Sequence, residues 1–142
     1  SNTFNNPVFN STTSASLCLW LKTTDTKFVL FSGNSTANSY VGACNASNGV
    51  WYTDYLGGST TSTLNVYSDG VYRGPNPDAS ASTDGNWHNY VFTVNLNVST
   101  GDTWKTQGFN IGGYGPIYFY DRIITAEEVL ENFNRQKSRF GL

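Results

Sequence analysis

The sequence predicts an all-β fold, two antiparallel sheets packed face to face with one short helix at the C-terminal end. Three observations carry this expectation. Aromatic residues make up 15% of the 142 residues, while Asn, Ser and Thr together form about a third of them. Aromatic and β-branched side chains suit a pleated, half-buried surface, and Asn, Ser and Gly suit turns. Apolar residues recur with period two, broken by turn residues about every 8–12 positions. Helix formers gather only in the last part of the chain.

Taken in order, Leu17, Leu19 and Leu21 alternate with Cys18, Trp20 and Lys22, which predicts a strand apolar on both faces up to its polar end. Lys27 to Phe31 is a second apolar run, closed by Ser32-Gly33-Asn34. Tyr40 to Cys44 and Val50 to Leu56 read as a hairpin around 45–49, and Gly57-Gly58 ends its second strand. Leu64, Val66 and the Asp69-Gly70 turn mark the next hairpin. The stretch from Gly74 to Gly85 has two prolines and no large apolar residue, so a loop of about a dozen residues is expected. Trp87 to Leu96 is a strand with Tyr90, Phe92 and Val94 on one face. Ile111-Gly112-Gly113 reads as a Gly-rich turn leading through Pro116 into the strand Ile117 to Tyr120.

The helix carries its own start signal. Thr125 with Glu128 three residues on forms a capping box, and Glu127 and Glu128 lie where the helix dipole favours negative charge. Val129, Leu130 and Phe133 form a narrow apolar stripe, supported by Ile123 and Ile124. The helix is expected to close an end of the core and to take no part in binding. About ten short strands with long loops then imply a sandwich or jelly roll in a single domain spanning 1–142. A chain that opens on Ser1 without Met reads as a processed chain or a domain cut from something longer, and the domain is expected to be the C-terminal one of a longer protein.

Composition excludes several classes. The net charge is −2 and the basic residues are scattered, so the stripe that phosphate binding requires is missing. No apolar run approaches the length of a membrane-spanning helix, so neither nucleic-acid binding nor membrane insertion is expected. Cys18 and Cys44 read as two small buried hydrophobes, or as a disulfide if their strands pair. Four Asn-x-Ser/Thr sequons, at Asn10, Asn34, Asn45 and Asn97, matter only on a eukaryotic secretory route.

Four stretches carry a resemblance. Ser16 to Thr23 (SLCLWLKT) is similar to an early "F-T-I-S-A-W-V-K" strand, and Gly85-Asn86-Trp87-His88-Asn89-Tyr90-Val91-Phe92 to "G-x-W-H-x-V". Phe109-Asn110-Ile111-Gly112-Gly113 is similar to an "I-G-G" turn. Ile117 to Val129, with its capping box, resembles "I-D-E-V-R-I-Y-N-R-A-L-S-x-E-E-I". These motifs belong to the laminin-G-like, concanavalin A-like lectin/glucanase superfamily, and the resemblance implies a jelly-roll sandwich. Residues 131–142 look like tails of such domains in marine virus and phage structural proteins, which implies a virion or extracellular surface. The pattern also departs from the family. The "Y-V-D-G" hairpin has its counterpart early, at Val66 to Gly70, and Tyr118 and Phe119 stand where acidic residues are usual.

The superfamily includes glucanases, but glycoside hydrolysis ordinarily needs two carboxylates across a cleft. The three Glu, at 127, 128 and 131, all lie on the helix, and the seven Asp never alternate along a strand. A Ser-His-Asp triad could only use His88, which by alternation faces away from Trp87 and reads as a structural or surface imidazole. No nucleophile elbow, P-loop or dinucleotide fingerprint is present. The chain is therefore expected not to be an enzyme.

Sugar binding needs aromatic faces for pyranose C–H groups and polar side chains for hydroxyls, and both abound near turns. The candidate ligand-binding residues are Trp51, Asp54, Tyr55, Tyr72, Trp104 and Tyr114. Calcium is the candidate cofactor, held by loop oxygens of Asp69, Asp84 or Asp54. The expected partner is a glycan or cell-surface polysaccharide. The rival expectation is a structural or oligomerising module, a capsid decoration or fibre domain that binds other virion proteins or itself.

Overall fold

The computed structural model describes residues 2–5, 14–24, 28–33, 39–44, 51–54, 65–75, 77, 84–94, 103–107 and 111–142. Ten strands run through them: β1 (Asn2–Asn5), β2 (Ala15–Thr23), β3 (Phe28–Gly33), β4 (Ser39–Cys44), β5 (Trp51–Asp54), β6 (Asn65–Ser68), β7 (Val71–Pro75), β8 (Trp87–Val94), β9 (Thr103–Gln107) and β10 (Ile111–Tyr120). Helix α1 (Ala126–Gln136) follows, continued by a 3-10 turn over Lys137–Phe140. The chain is thus mostly β with one short C-terminal helix, as its composition predicts. One five-stranded sheet has the order β10-β2-β8-β6-β7, and the remaining strands pair in the order β1-β9-β3-β4-β5. Every pairing is antiparallel.

Strand β2, paired on one side with β10 and on the other with β8, is apolar on both faces, and the structure gives each face its burial. Leu17, Leu19 and Leu21 are fully buried, in register with Phe92, Tyr90 and His88 of β8. Tyr90 and Phe92 are also fully buried, their rings parallel at 6.0 Å. Cys18 and Trp20 point the other way and meet the helix. Cys18, Val91, Ile124 and Val129 form one buried cluster, flanked by Tyr67 and Tyr120. Lys22 is exposed, as its place at the polar end of the strand requires.

The helix begins as its sequence dictates. Glu128 N–H donates to Thr125 Oγ1 at 3.2 Å, and Thr125 N–H donates to Glu128 Oε2 at 2.8 Å, so the capping box closes both ways. Ser16, buried in β2, donates to the Arg122 carbonyl and accepts from Ile124 N–H at 3.0 Å, which fixes the chain entering α1 to the sheet.

Three expectations need correction. The helix covers a face of the sheet, around Trp20, Cys18 and Val91, and does not close an end of the core. Of its apolar stripe, Val129 is buried but Leu130 is 47% exposed, and Ile123 is 43% exposed beside buried Ile124; an 11-residue helix turns only part of its surface inward. The Gly-rich segment is no turn but part of strand β10, whose register against β2 shifts between Ile111 and Gly113 and again between Tyr114 and Ile117. Gly113 and Gly115 are there for space: a Cβ on Gly113 would stand 2.8 Å from Trp87, and one on Gly115 2.6 Å from Trp20. Cys18 agrees with its reading as a small buried hydrophobe: it is a free buried thiol, and its strand pairs with β8 and β10, so the strand pairing that a disulfide to Cys44 required is not made. Burial without an ionic partner pushes that thiol up to about 12. Strand β9 lies where no strand is expected from sequence.

Candidate functional site

The β6–β7 hairpin turns at Asp69-Gly70, with Asp69 at φ 52° and Gly70 at φ 80°. Such positive values suit Asp or Gly at the centre of a tight hairpin turn. A Cβ on Gly70 would also sit 3.1 Å from Leu130 Cδ1 and 3.2 Å from Phe133 Cδ1, so the turn is packed directly against α1.

The hairpin register opposes Tyr67 to Tyr72, and their rings stand 5.1 Å apart at 50°. Tyr72 is 52% exposed on the edge strand β7. Its hydroxyl donates to Asn65 Oδ1 at 2.8 Å, which fixes the ring and turns the amide of Asn65 along the same edge. Burial first, then the nearby Tyr72 and Glu127, push the Tyr67 phenol above its ordinary range, so it stays a neutral donor. Two phenol rings and a carboxamide thus gather on this part of the sheet, with the Glu127 carboxylate near enough to raise the Tyr67 phenol through its charge. Beyond Glu127, a broad open depression of about 480 Å³ runs along Leu130, Glu131, Asn134 and Arg135.

Of the residues expected to bind ligand, Tyr72 belongs to this group. Trp51 and Asp54 lie at the two ends of β5, Trp104 in β9 and Tyr114 in β10, and their side chains lie outside the described residues, as does Tyr55 altogether. Tyr67, Asn65 and Glu127 were not singled out from sequence. The hairpin pairing across Asp69-Gly70 could have found Tyr67 and Asn65, whereas Glu127 arrives through the docking of α1, which no local pattern encodes.

On the opposite face, His88 lies between two carboxylates. Its Nδ1 is 2.7 Å from Asp69 Oδ2 and its Nε2 is 2.9 Å from Asp84 Oδ1. Asp69 Oδ1 also accepts the Asn89 N–H at 2.9 Å. Asp84 accepts both the backbone N–H and the side-chain amide of Asn86. Those two bonds, with the imidazole, hold its carboxyl down at about 2. Burial pulls the His88 imidazole down, but hydrogen bonds and charge from Asp69 and Asp84 outweigh it and raise the group above its ordinary value.

This arrangement bears on the calcium expectation. Asp69 and Asp84 approach opposite nitrogens of one ring, so their bonded oxygens diverge, whereas calcium ligands must converge at about 2.3–2.6 Å. Among the described residues no group of three or more His, Cys, Asp or Glu surrounds a common point. The arrangement also differs from a triad, because the Asp84 carboxylate occupies the Nε2 side where a nucleophile's hydroxyl would stand. The three glutamates are on α1, with Glu128 held by Arg122 and Glu131 by Arg135.

No family model matches the chain, and no curated protein or solved structure is significantly similar to it.

Proposed function

We propose that the chain is a non-catalytic carbohydrate-binding domain of the laminin-G-like kind its motifs resemble, displayed on an extracellular or virion surface. One observation carries the reading, the half-exposed ring of Tyr72, braced by Tyr67 at 5.1 Å and tethered to Asn65 at 2.8 Å. A sugar ring stacks best on an aromatic face already held still, because less side-chain freedom is lost on binding. Asn65 and Glu127 would serve the sugar hydroxyls as donor and acceptor.

The finer fold reading goes with this proposal. Leu17, Leu19, Leu21, Tyr90, Phe92 and Val66 are each at most 1% exposed on the face away from α1. A second layer must cover them, and the sheet β1-β9-β3-β4-β5 is the natural cover, which makes the domain a jelly-roll sandwich.

Calorimetry and a glycan array test the reading, run on the intact chain and on Tyr72→Ala with and without calcium. Specific binding that falls about tenfold or more in Tyr72→Ala supports it, on the scale of one lost aromatic contact. Silence across neutral, acidic and amino-sugar polysaccharides sinks it.

A second reading has its own observation. Strand β7 lies at the sheet edge with Val71 51% and Tyr72 52% exposed and Arg73 exposed beside them. An exposed edge can pair with a strand of another chain, so the domain would then be a structural or oligomerising module. Light scattering at high concentration separates the two, since a chain that stays monomeric argues against self-assembly.

A further inference from the structure

We propose that His88 is a proton-operated clamp: as a doubly protonated imidazolium it holds the Asp69-Gly70 turn and the Asp84–Asn86 bend together, and on losing its proton it lets Asp84 go. The geometry requires the first half. A neutral imidazole offers one N–H and one lone pair, and an ionised carboxylate only accepts. Both ring nitrogens of His88 lie within 2.9 Å of a carboxylate oxygen. Only the imidazolium can donate to both.

The release is directional. Asp69 is bound to β8 twice over without the imidazole, since its Oδ1 accepts Asn89 N–H and its own N–H donates to the Asn89 carbonyl, each at 2.9 Å. Its side chain is 26% exposed, against 43% for Asp84. Among the described residues, the other bonds of Asp84 reach only Asn86, two residues away within the same bend. A single remaining proton therefore stays on Nδ1 facing Asp69, and the Nε2 lone pair is left facing the Asp84 carboxylate, which repels it.

Among the described residues, the charged groups that face the ring are these two carboxylates. Asp69 comes from the β6–β7 turn and Asp84 from the bend before β8. From its own strand His88 meets the Tyr90 ring at 6.4 Å, and β2 sets apolar Leu21 opposite it. Because the folded protein raises the affinity of His88 for its proton, the clamp's contribution to stability is complete below about pH 6.5 for as long as Asp84 stays ionised. It is lost as pH rises through the raised value. The turn it holds lies between Tyr67 and Tyr72, but the clamp stands whether or not those rings bind a glycan.

The chain has a single histidine, so imidazole nitrogen NMR on the intact protein follows one titration without ambiguity. The expected midpoint lies above 6.5, with Nε2 passing to the lone-pair form while Nδ1 keeps its proton. The Gly85 and Asn86 amide signals should move with the same midpoint, and Asp84→Asn should lower that midpoint by the order of one pH unit. A midpoint at or below 6.5, loss of the Nδ1 proton instead, or a midpoint indifferent to Asp84→Asn overturns the clamp. If Asp84→Asn fails to fold, the titration of the unaltered chain decides alone through its midpoint and its nitrogen pattern.

Discussion

The indole N–H of Trp20 donates to Oε1 of Gln136 at 2.7 Å, joining strand β2 to the last residue of α1. Trp20 is fully buried. Its ring stacks on Phe140 at 4.1 Å and 12°, with Phe133 at 5.8 Å and 22°. A buried indole has one donor and must find an acceptor. The helix is therefore held by an aromatic stack whose one polar atom is satisfied by the helix itself.

Gln136→Leu should leave that N–H buried and unpaired, at about 1–3 kcal/mol of stability. Gln136→Glu keeps an acceptor oxygen and should cost less. Urea midpoints of the two variants, read at constant slope, check the order. Equal midpoints would show that the bond contributes nothing.

The two apolar helix positions should separate. Phe133 lies against Trp20 and the Gly70 turn, with Lys137 Nζ 5.6 Å from its ring centroid. Leu130 is 47% exposed. Phe133→Ala should cost about 3 kcal/mol, whereas Leu130→Ala should stay under about 1 kcal/mol. Thermal melts decide it, and similar losses would mean that the stripe buries as one unit after all.

Gly115→Ala tests why β10 tolerates its glycines. The added Cβ would meet Trp20 Cβ at 2.6 Å and Phe140 Cζ at 2.8 Å, too close for either neighbour to ignore. Overpacking of this kind costs about 1–3 kcal/mol. A variant as stable as the parent would show that the Trp20–Phe140 stack can slide.

These glycines also show where the sequence stops being legible. The alternation of β2 foretells its two buried faces, because period two needs no partner to be read. Thr125 and Glu128 foretell the helix start for the same local reason. In contrast, Gly113 and Gly115 look like a turn until Trp87, Trp20 and Phe140 arrive from three other elements. The His88 site is similar: alternation turns it away from Trp87, but Asp69 reaches it only through the pairing of β6 with β8. Of the candidate binding surface, Tyr72 is visible from its place beside a long loop, while Tyr67 and Glu127 need the hairpin register and the docked helix.

The acid limit of stability should come from two carboxyls held in the same way at separate places. Arg122 donates to both oxygens of Glu128, at 2.8 and 2.6 Å, and the Thr125 N–H adds a third bond. Together these hold Glu128 at about 2 against an ordinary 4.5. Asp84, bonded to Asn86 and His88, is held at about 2 against 3.8. A depressed carboxyl stabilises the fold in full above its unfolded value and ceases to do so as pH falls through its folded one. Stability should therefore decline between about pH 4.5 and 2, where the unfolded chain takes up protons that these two groups refuse. Glu128→Gln removes one of the two charges, so urea midpoints should be lower than the parent's at pH 6 and should fall less steeply from pH 5 to 2. Both pairs are exposed, so salt should flatten the parent's slope as well. If Glu128→Gln kept the full acid slope, the helix cap would not contribute to it, and Asp84 or a carboxyl elsewhere in the chain would have to account for the loss.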